Sequence, residues 1–141
     1  MDMTITFPGG KRVDAQIGPH TIRTDQSKDG GGEGSAPEPF VTFLASLGTC
    51  AGIYVLGFCQ ARNLPTEGIR LVQKHDFNPV THRLEKIRIE VQVPPSFPEK
   101  YRPAVQRAAD LCAVKKTILE PPQFEVVTTV TGADTADSAQ D

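Results

Sequence analysis

The sequence predicts one domain of mixed helices and antiparallel strands, and three observations lead to that prediction. The 141 residues fit the usual size of a single domain, and 38% of them are hydrophobic, which is enough for one core. Residues 87–93 alternate strictly between apolar and polar side chains, as in a strand with one buried face. Residues 40–59 carry no charge, which is typical of a helix buried on all sides.

The first half of the chain predicts three strands, a loop and a helix. Residues 3–24 alternate loosely between apolar and polar side chains, and turns at 8–10 and 18–19 interrupt them. This pattern predicts three short strands. Residues 25–39 are polar and rich in glycine and predict a flexible loop. Their glycine spacing faintly resembles a phosphate-binding loop but lacks its Gly-Lys-Ser/Thr ending. The uncharged helix is expected from about residue 40 to residue 62, before Pro65.

The second half predicts a hairpin, two helices and a last strand. Residues 69–77 and the alternating segment form the hairpin, and Ser96 resembles a helix cap with Glu99 three residues later. A second, short helix is expected to begin near Cys112 and to end before Pro121. Residues 124–130 predict a last strand. The domain is therefore expected to span residues 1–131, and residues 132–141 to form a flexible acidic tail.

Charge and composition limit the possible partners. The net charge of −2 and the lack of a basic run argue against binding to nucleic acid or to anionic membranes. Asp2 stands where a signal peptide would be positive, so we expect a cytoplasmic protein. The uncharged segment reaches the ~20 apolar residues that span a bilayer. However, it contains three glycines and no preceding cation, so a buried helix is favoured over a membrane span.

The three cysteines differ in what they can do together. Cys50 and Cys59 lie nine positions apart in one predicted helix, so they point to opposite faces, about 13.5 Å apart along the axis. A disulfide needs Cα atoms within ~7 Å, so these two cannot pair. A redox couple within the chain would then include Cys112, where a helix start and Lys115 favour a thiolate. The alternative, strongest for Cys59, is a buried thiol that acts as a small hydrophobe.

The histidines do not predict a metal site. His20, His75 and His82 have no ligand spacing with each other or with the cysteines, so we expect ordinary surface or loop histidines.

Three segments of the sequence resemble the OsmC/Ohr family, the osmotically inducible protein C and organic hydroperoxide resistance group. They are residues 35–40 (SAPEPF), 44–50 (LASLGTC) and 111–116 (LCAVKK), and the order of elements is similar over residues 3–130. The resemblance implies an α+β fold in which two chains intertwine into a homodimer, with long buried central helices packed against curved antiparallel sheets. It places Cys50 and Cys112 together at the dimer interface.

The resemblance also implies an activity, the thiol-dependent reduction of organic or inorganic hydroperoxides. Cys50 matches the position that attacks the peroxide and becomes a sulfenic acid, and Cys112 matches the thiol that resolves it to a disulfide. An external dithiol then restores the pair. Neither a metal nor an organic cofactor is implied.

Two positions depart from the family pattern. Relatives carry an acid one or two positions after the proline that opens the helix, where this chain has Phe40 and Val41. The family acid pairs with an arginine that holds the thiolate, and Arg23 is the candidate here. Without the acid, we expect a raised pKa for Cys50 and a peroxidase of reduced activity. The second departure is Ala113, where many relatives have proline.

The missing acid keeps a second interpretation open. The chain would then be a non-catalytic dimer that binds a small apolar ligand at its interface, or a slow thiol redox sensor.

Overall fold

A computed structural model describes residues 1–132, and most of its elements follow the predicted order. The chain forms an α+β fold of two antiparallel sheets and three α-helices. The elements are β1 (Thr4–Gly9), β2 (Arg12–Ile17), β3 (His20–Thr24), α1 (Pro39–Ala61), β4 (Arg70–Phe77), β5 (Leu84–Gln92), a 3-10 turn (Glu99–Tyr101), α2 (Arg102–Ala109) and α3 (Ala113–Leu119).

The strands form two separate antiparallel sheets. β1, β2 and β3 make a three-stranded meander whose tight turns use Gly10 and Gly18 at positive φ of 58° and 53°. β4 and β5 make a hairpin in which Leu71 lies opposite Val91. The alternation predicted for β5 is confirmed, because its isoleucines and Val91 pack into the core while Arg88 is exposed.

Helix α1 begins at Pro39, a favoured residue for the first helical position, and packs one side against the hairpin, α2 and α3. Two core clusters lie along this side. One contains Val55, Phe58 and Cys59, and the other contains Leu44, Leu47, Ala51 and Cys112. Full burial of a leucine stabilises the fold by about 1.5–3 kcal/mol, so these rows fix which side of α1 faces inward.

The other side of α1 is not covered within one chain. Phe40 is 51% exposed and Ile53 is 59% exposed, and only 22% of the most apolar stretch of the helix is buried. By length and composition α1 could cross a membrane. The core helix of a soluble protein can meet the same criterion of length and composition. Burial on all sides was therefore not reached in a single chain, because a two-stranded hairpin and two short helices cover only one side of a helix this long.

Two local predictions were wrong. Residues 124–130 form no strand, and Phe124 and Val126 are 87% and 96% exposed, because no strand of residues 1–132 pairs with them. Ser96 does not cap a helix. Instead the Phe97 amide donates to the Pro94 carbonyl in a turn that buries Phe97, and the 3-10 turn begins later without a side-chain cap. The predicted tail lies, from residue 133 onward, outside the described residues.

The loop between β3 and α1 closes around a buried carboxylate, a contact that the sequence did not indicate. Asp25 is 1% exposed and accepts hydrogen bonds from Ser35 Oγ at 2.6 Å, Ser35 N at 3.0 Å and Gln26 N at 2.7 Å. The side-chain bond from Ser35 is the main cause that lowers the pKa of Asp25. Gly32 packs closely against the backbone of Gln26, and a Cβ added at Gly32 would lie 2.2 Å from the Gln26 carbonyl oxygen.

Candidate active site

Cys50 lies on α1 beside the start of α3. It is half-buried and packs against the second core cluster together with Val114. A hydrogen bond from the Val114 amide is the largest effect on the pKa of Cys50, and it lowers that pKa. Bonds from the Cys112 thiol and the Ala113 amide lower it further, and together they outweigh the desolvation that raises it.

Cys112 is the residue that precedes α3 and caps it. Its sulfur accepts a hydrogen bond from Lys115 N at 3.5 Å, and its S–H donates to the Leu47 carbonyl oxygen of α1 at 3.7 Å. The Lys115 ammonium pairs with Asp110 at the end of α2, which ties the α2–α3 connection together. The two hydrogen bonds of the Cys112 sulfur, to Lys115 N and to the Leu47 carbonyl oxygen, hold this residue against the turn of α1 that precedes Cys50. Cys112 is 2% exposed.

The structure therefore brings together the two cysteines that the resemblance named, and it keeps the third apart. Cys59 lies in the other core cluster, with Val55 and Phe58, and is fully buried. Burial raises the pKa of Cys59, which the charge of Arg62 only partly offsets. The roles of Cys50 and Cys112 in catalysis stay predictions at this point.

The expected electrostatics of Cys50 were wrong. The missing acid led us to expect a raised pKa, but backbone amides at the start of α3 lower it. At this helix start the Ala113 and Val114 amides act on Cys50, and the Lys115 amide donates to Cys112. A sequence shows that Phe40 and Val41 are apolar, but it does not show which backbone groups a fold turns toward a thiol.

The charged residues considered for the site lie elsewhere in the described chain. Arg23 is exposed on β3, in register with Asp14, and is not among the groups that shift the pKa of Cys50. The first turn of α1 contains no acid, and the Glu38 carboxylate accepts a hydrogen bond from Ser27 N at 3.1 Å. Arg23 as the cation beside the thiolate remains a prediction.

A groove of about 1080 Å³ lies next to the cysteine pair. It runs between the first half of α1, strand β5, α2 and α3, and Cys112 forms part of its wall. Its lining includes the apolar side chains of Phe43, Leu47, Ile89 and Val105. The site can therefore place an apolar molecule directly against the Cys112 side of the pair.

Gln73 is a site neighbour that sequence analysis missed. Its side-chain amide donates to the Leu44 carbonyl oxygen at 2.8 Å and lies 2.7 Å from His75 Nε2. Because a carbonyl oxygen only accepts, the amide NH₂ faces Leu44 and His75 Nε2 is the acceptor. Gly48 makes room for this contact, since a Cβ there would lie 2.5 Å from Gln73 Oε1. Gly48, a glycine within the predicted helix, was the one sign of this contact in the sequence.

Metal binding has no support in the part of the chain that the structure describes. Within residues 1–132, no three His, Cys, Asp or Glu side chains converge in a way that could hold a metal ion.

Comparisons with known proteins agree on the fold. A family model described as OsmC-like protein matches residues 32–127. A structure from Psychrobacter arcticus, named for an osmotic stress induced and detoxification response, has a TM-score of 0.68 at 20% identity over 82% of this chain and 85% of that one. An OsmC-like protein of unknown function from Vibrio cholerae has a TM-score of 0.58 at 13% identity over 82% and 91%. An organic hydroperoxide resistance protein OsmC from Legionella pneumophila, also described as a redox protein, has a TM-score of 0.53 at 14% identity over 84% of this chain and 89% of that one. No curated protein matches the sequence.

Proposed function

Because this chain belongs to the OsmC-like protein family, we propose that it reduces hydroperoxides with Cys50 and Cys112. The observation that carries the proposal is the contact of Cys50 with the Cys112 thiol and the amides of α3, which favours its thiolate. A thiolate is the nucleophile that peroxide reduction requires. The names of the Legionella and Psychrobacter proteins, organic hydroperoxide resistance and detoxification response, support a stress-related redox role.

The proposed reaction uses the two thiols in sequence. The Cys50 thiolate attacks the outer oxygen of the peroxide, an S–O bond forms and the O–O bond breaks, so that Cys50 becomes a sulfenic acid and the alkoxide that leaves takes up a proton to become an alcohol. Cys112 then attacks the Cys50 sulfur, and a disulfide forms with release of water. An external dithiol reduces the disulfide. Cys59 takes no part, since burial raises the pKa of its thiol.

The proposal includes a homodimer, and the uncovered side of α1 supports it. Phe40, Val41 and Ile53 are large apolar residues left 47–59% exposed, and a Cβ on Gly52 or Gly57 would meet nothing within 4 Å. Exposed apolar surface of this kind is typical of a protein–protein interface. A second copy would cover this side of α1 and could pair with the extended residues 124–130, for which residues 1–132 of one chain offer no partner strand.

A thiol titration tests the proposed function. The purified protein, with Cys59→Ala to leave two thiols, is treated with an equimolar organic hydroperoxide. We expect both remaining thiols to be lost within seconds. A matched Cys50→Ser variant should consume no peroxide, and Arg23→Ala should react more slowly if this arginine assists the thiolate. Peroxide consumption by Cys50→Ser at the rate of the parent would refute the proposal.

A second candidate function rests on the groove. Its volume of about 1080 Å³ and its apolar lining suit a small apolar ligand, and the chain would then be a non-catalytic binder or a slow thiol sensor. In that case the same titration would show no thiol loss over an hour. Binding of a fluorescent fatty acid that is lost when Ile118→Trp narrows the groove, at a lining residue that is 46% exposed, would support this alternative.

A further inference from the structure

The thiol of Cys112 has two possible acceptors for its proton. Its S–H donates to the Leu47 carbonyl oxygen at 3.7 Å, and the same thiol can donate to the Cys50 sulfur next to it. A carbonyl oxygen only accepts hydrogen bonds, so Cys112 carries its proton in this geometry. The site therefore pairs a sulfur that favours the thiolate with a neighbour that holds a proton.

The sulfur of Cys112 also has a hydrogen-bond donor of its own. The backbone N–H of Lys115 already donates to its sulfur at 3.5 Å, so a donor is in place for the charge that remains after the proton leaves. The Lys115 ammonium is engaged by Asp110 and is not needed for this contact. The start of α3 thus already directs a backbone donor at the Cys112 sulfur.

The groove decides where a leaving group would lie. Cys112 forms part of its wall, together with the apolar side chains of Leu47, Ile89 and Val105. Cys112 lines the groove and Cys50 does not, so an organic group held in the groove, and the inner peroxide oxygen attached to it, would lie on the Cys112 side of the Cys50 sulfur. An alkoxide formed against apolar side chains is poorly solvated, so it needs a proton as the O–O bond breaks.

We infer that the Cys112 thiol is the general acid of peroxide cleavage before it becomes the resolving nucleophile. The inference rests on the proposed function. The Cys50 thiolate supplies an electron pair to the outer oxygen, an S–O bond forms, the O–O bond breaks, and the leaving alkoxide takes the proton of Cys112 to become an alcohol. Cys112, now a thiolate, attacks the Cys50 sulfur, the S–S bond forms and the S–O bond breaks, and the leaving hydroxide combines with the proton that Cys50 released to solvent on ionising, which gives water.

The test compares leaving groups in the first turnover. Cys112→Ala and Cys112→Ser are made in the Cys59→Ala background, and sulfenic acid formation at Cys50 is followed by stopped flow. An alkyl hydroperoxide leaves as a basic alkoxide, whereas a peroxy acid leaves as a carboxylate that needs no proton. General acids contribute about 10²–10⁴-fold. Loss of the Cys112 donor to Cys50 slows Cys112→Ala to the same extent with both peroxides. Beyond that common slowing, we expect a further loss of at least about 100-fold with the alkyl hydroperoxide alone.

The other outcomes separate the possible errors. Equal slowing with both peroxides would mean that Cys112 acts only by lowering the pKa of Cys50, and would overturn the inference. Unchanged rates with both would overturn it as well and leave Cys112 as a resolving thiol only. A parent protein that reacts with neither peroxide would overturn the proposed function itself. Circular dichroism and the alkylation rate of Cys50 check that each variant is folded with an accessible site, and Cys112→Ser supplies a second variant of closer shape.

Discussion

The replacement Ala113→Pro would remove one hydrogen-bond donor from the Cys50 thiolate and little else. Ala113 is the first residue of α3, a position that favours proline and whose amide has no partner within the helix. Cys112 before it has φ −47° and ψ 120°, an extended backbone that a following proline tolerates. The helix should therefore form as before, while the Ala113 N–H is lost.

The size of the effect follows from the donors around Cys50. Three hydrogen bonds lower the pKa of Cys50, and the one from Ala113 is the smallest of them. A hydrogen bond to a charged group contributes about 1.5–3 kcal/mol, so its loss at the low end of that range slows attack about tenfold at any pH well below the pKa of Cys50. At alkaline pH the thiol ionises in both proteins, so the rates of Ala113→Pro and the parent should converge.

The assay is the rate of Cys50 alkylation by iodoacetamide as a function of pH, in the Cys59→Ala background. We expect the pH midpoint of Ala113→Pro to lie above that of the parent. Ala113→Gly is the matched control, because it keeps the amide and should keep the midpoint of the parent. A midpoint in Ala113→Pro equal to that of the parent would refute the reasoning that backbone donors of α3 hold the thiolate.

Three further predictions concern stability and assembly. Gly32→Ala should lower the free energy of unfolding by about 1–3 kcal/mol, because its Cβ would lie 2.2 Å from the Gln26 carbonyl oxygen; an unchanged denaturation midpoint in urea would contradict the loop geometry. The pKa of Asp25 is lowered, so its carboxylate stabilises the fold above the ordinary value of 3.8, and this contribution disappears as the pH falls through the lowered pKa. Ser35→Ala should therefore be less stable than the parent at pH 6, and the difference should shrink as the pH falls through the lowered pKa of Asp25, as urea titrations over that range would show. Sedimentation should give a dimer of the 15.3 kDa chain, and Ile53→Glu on the uncovered side of α1 should yield a folded monomer; a parent that sediments as a folded monomer at micromolar concentration would rule out the dimer.

Features that depend on neighbouring positions in the chain were predictable from the sequence. The alternation of residues 87–93 identified one strand of the hairpin because side chains alternate sides along a strand. The uncharged run and the proline before it identified α1, and Lys115 with the residues after Cys112 identified the start of α3. The motifs around the two cysteines led to the family, which the match over residues 32–127 confirmed.

Features that depend on contacts distant in the chain came only from the tertiary structure. Residues 124–130 have the composition of a strand, but a strand needs a partner, and residues 1–132 of one chain supply none. Asp25 looks like an ordinary loop acid until Ser35, ten positions away, closes the loop around it. The pKa of Cys50 was the largest such error. The side chains along α1 predicted a poor nucleophile, but its acidity is set by backbone amides more than sixty residues later, which no side-chain pattern in the sequence can reveal.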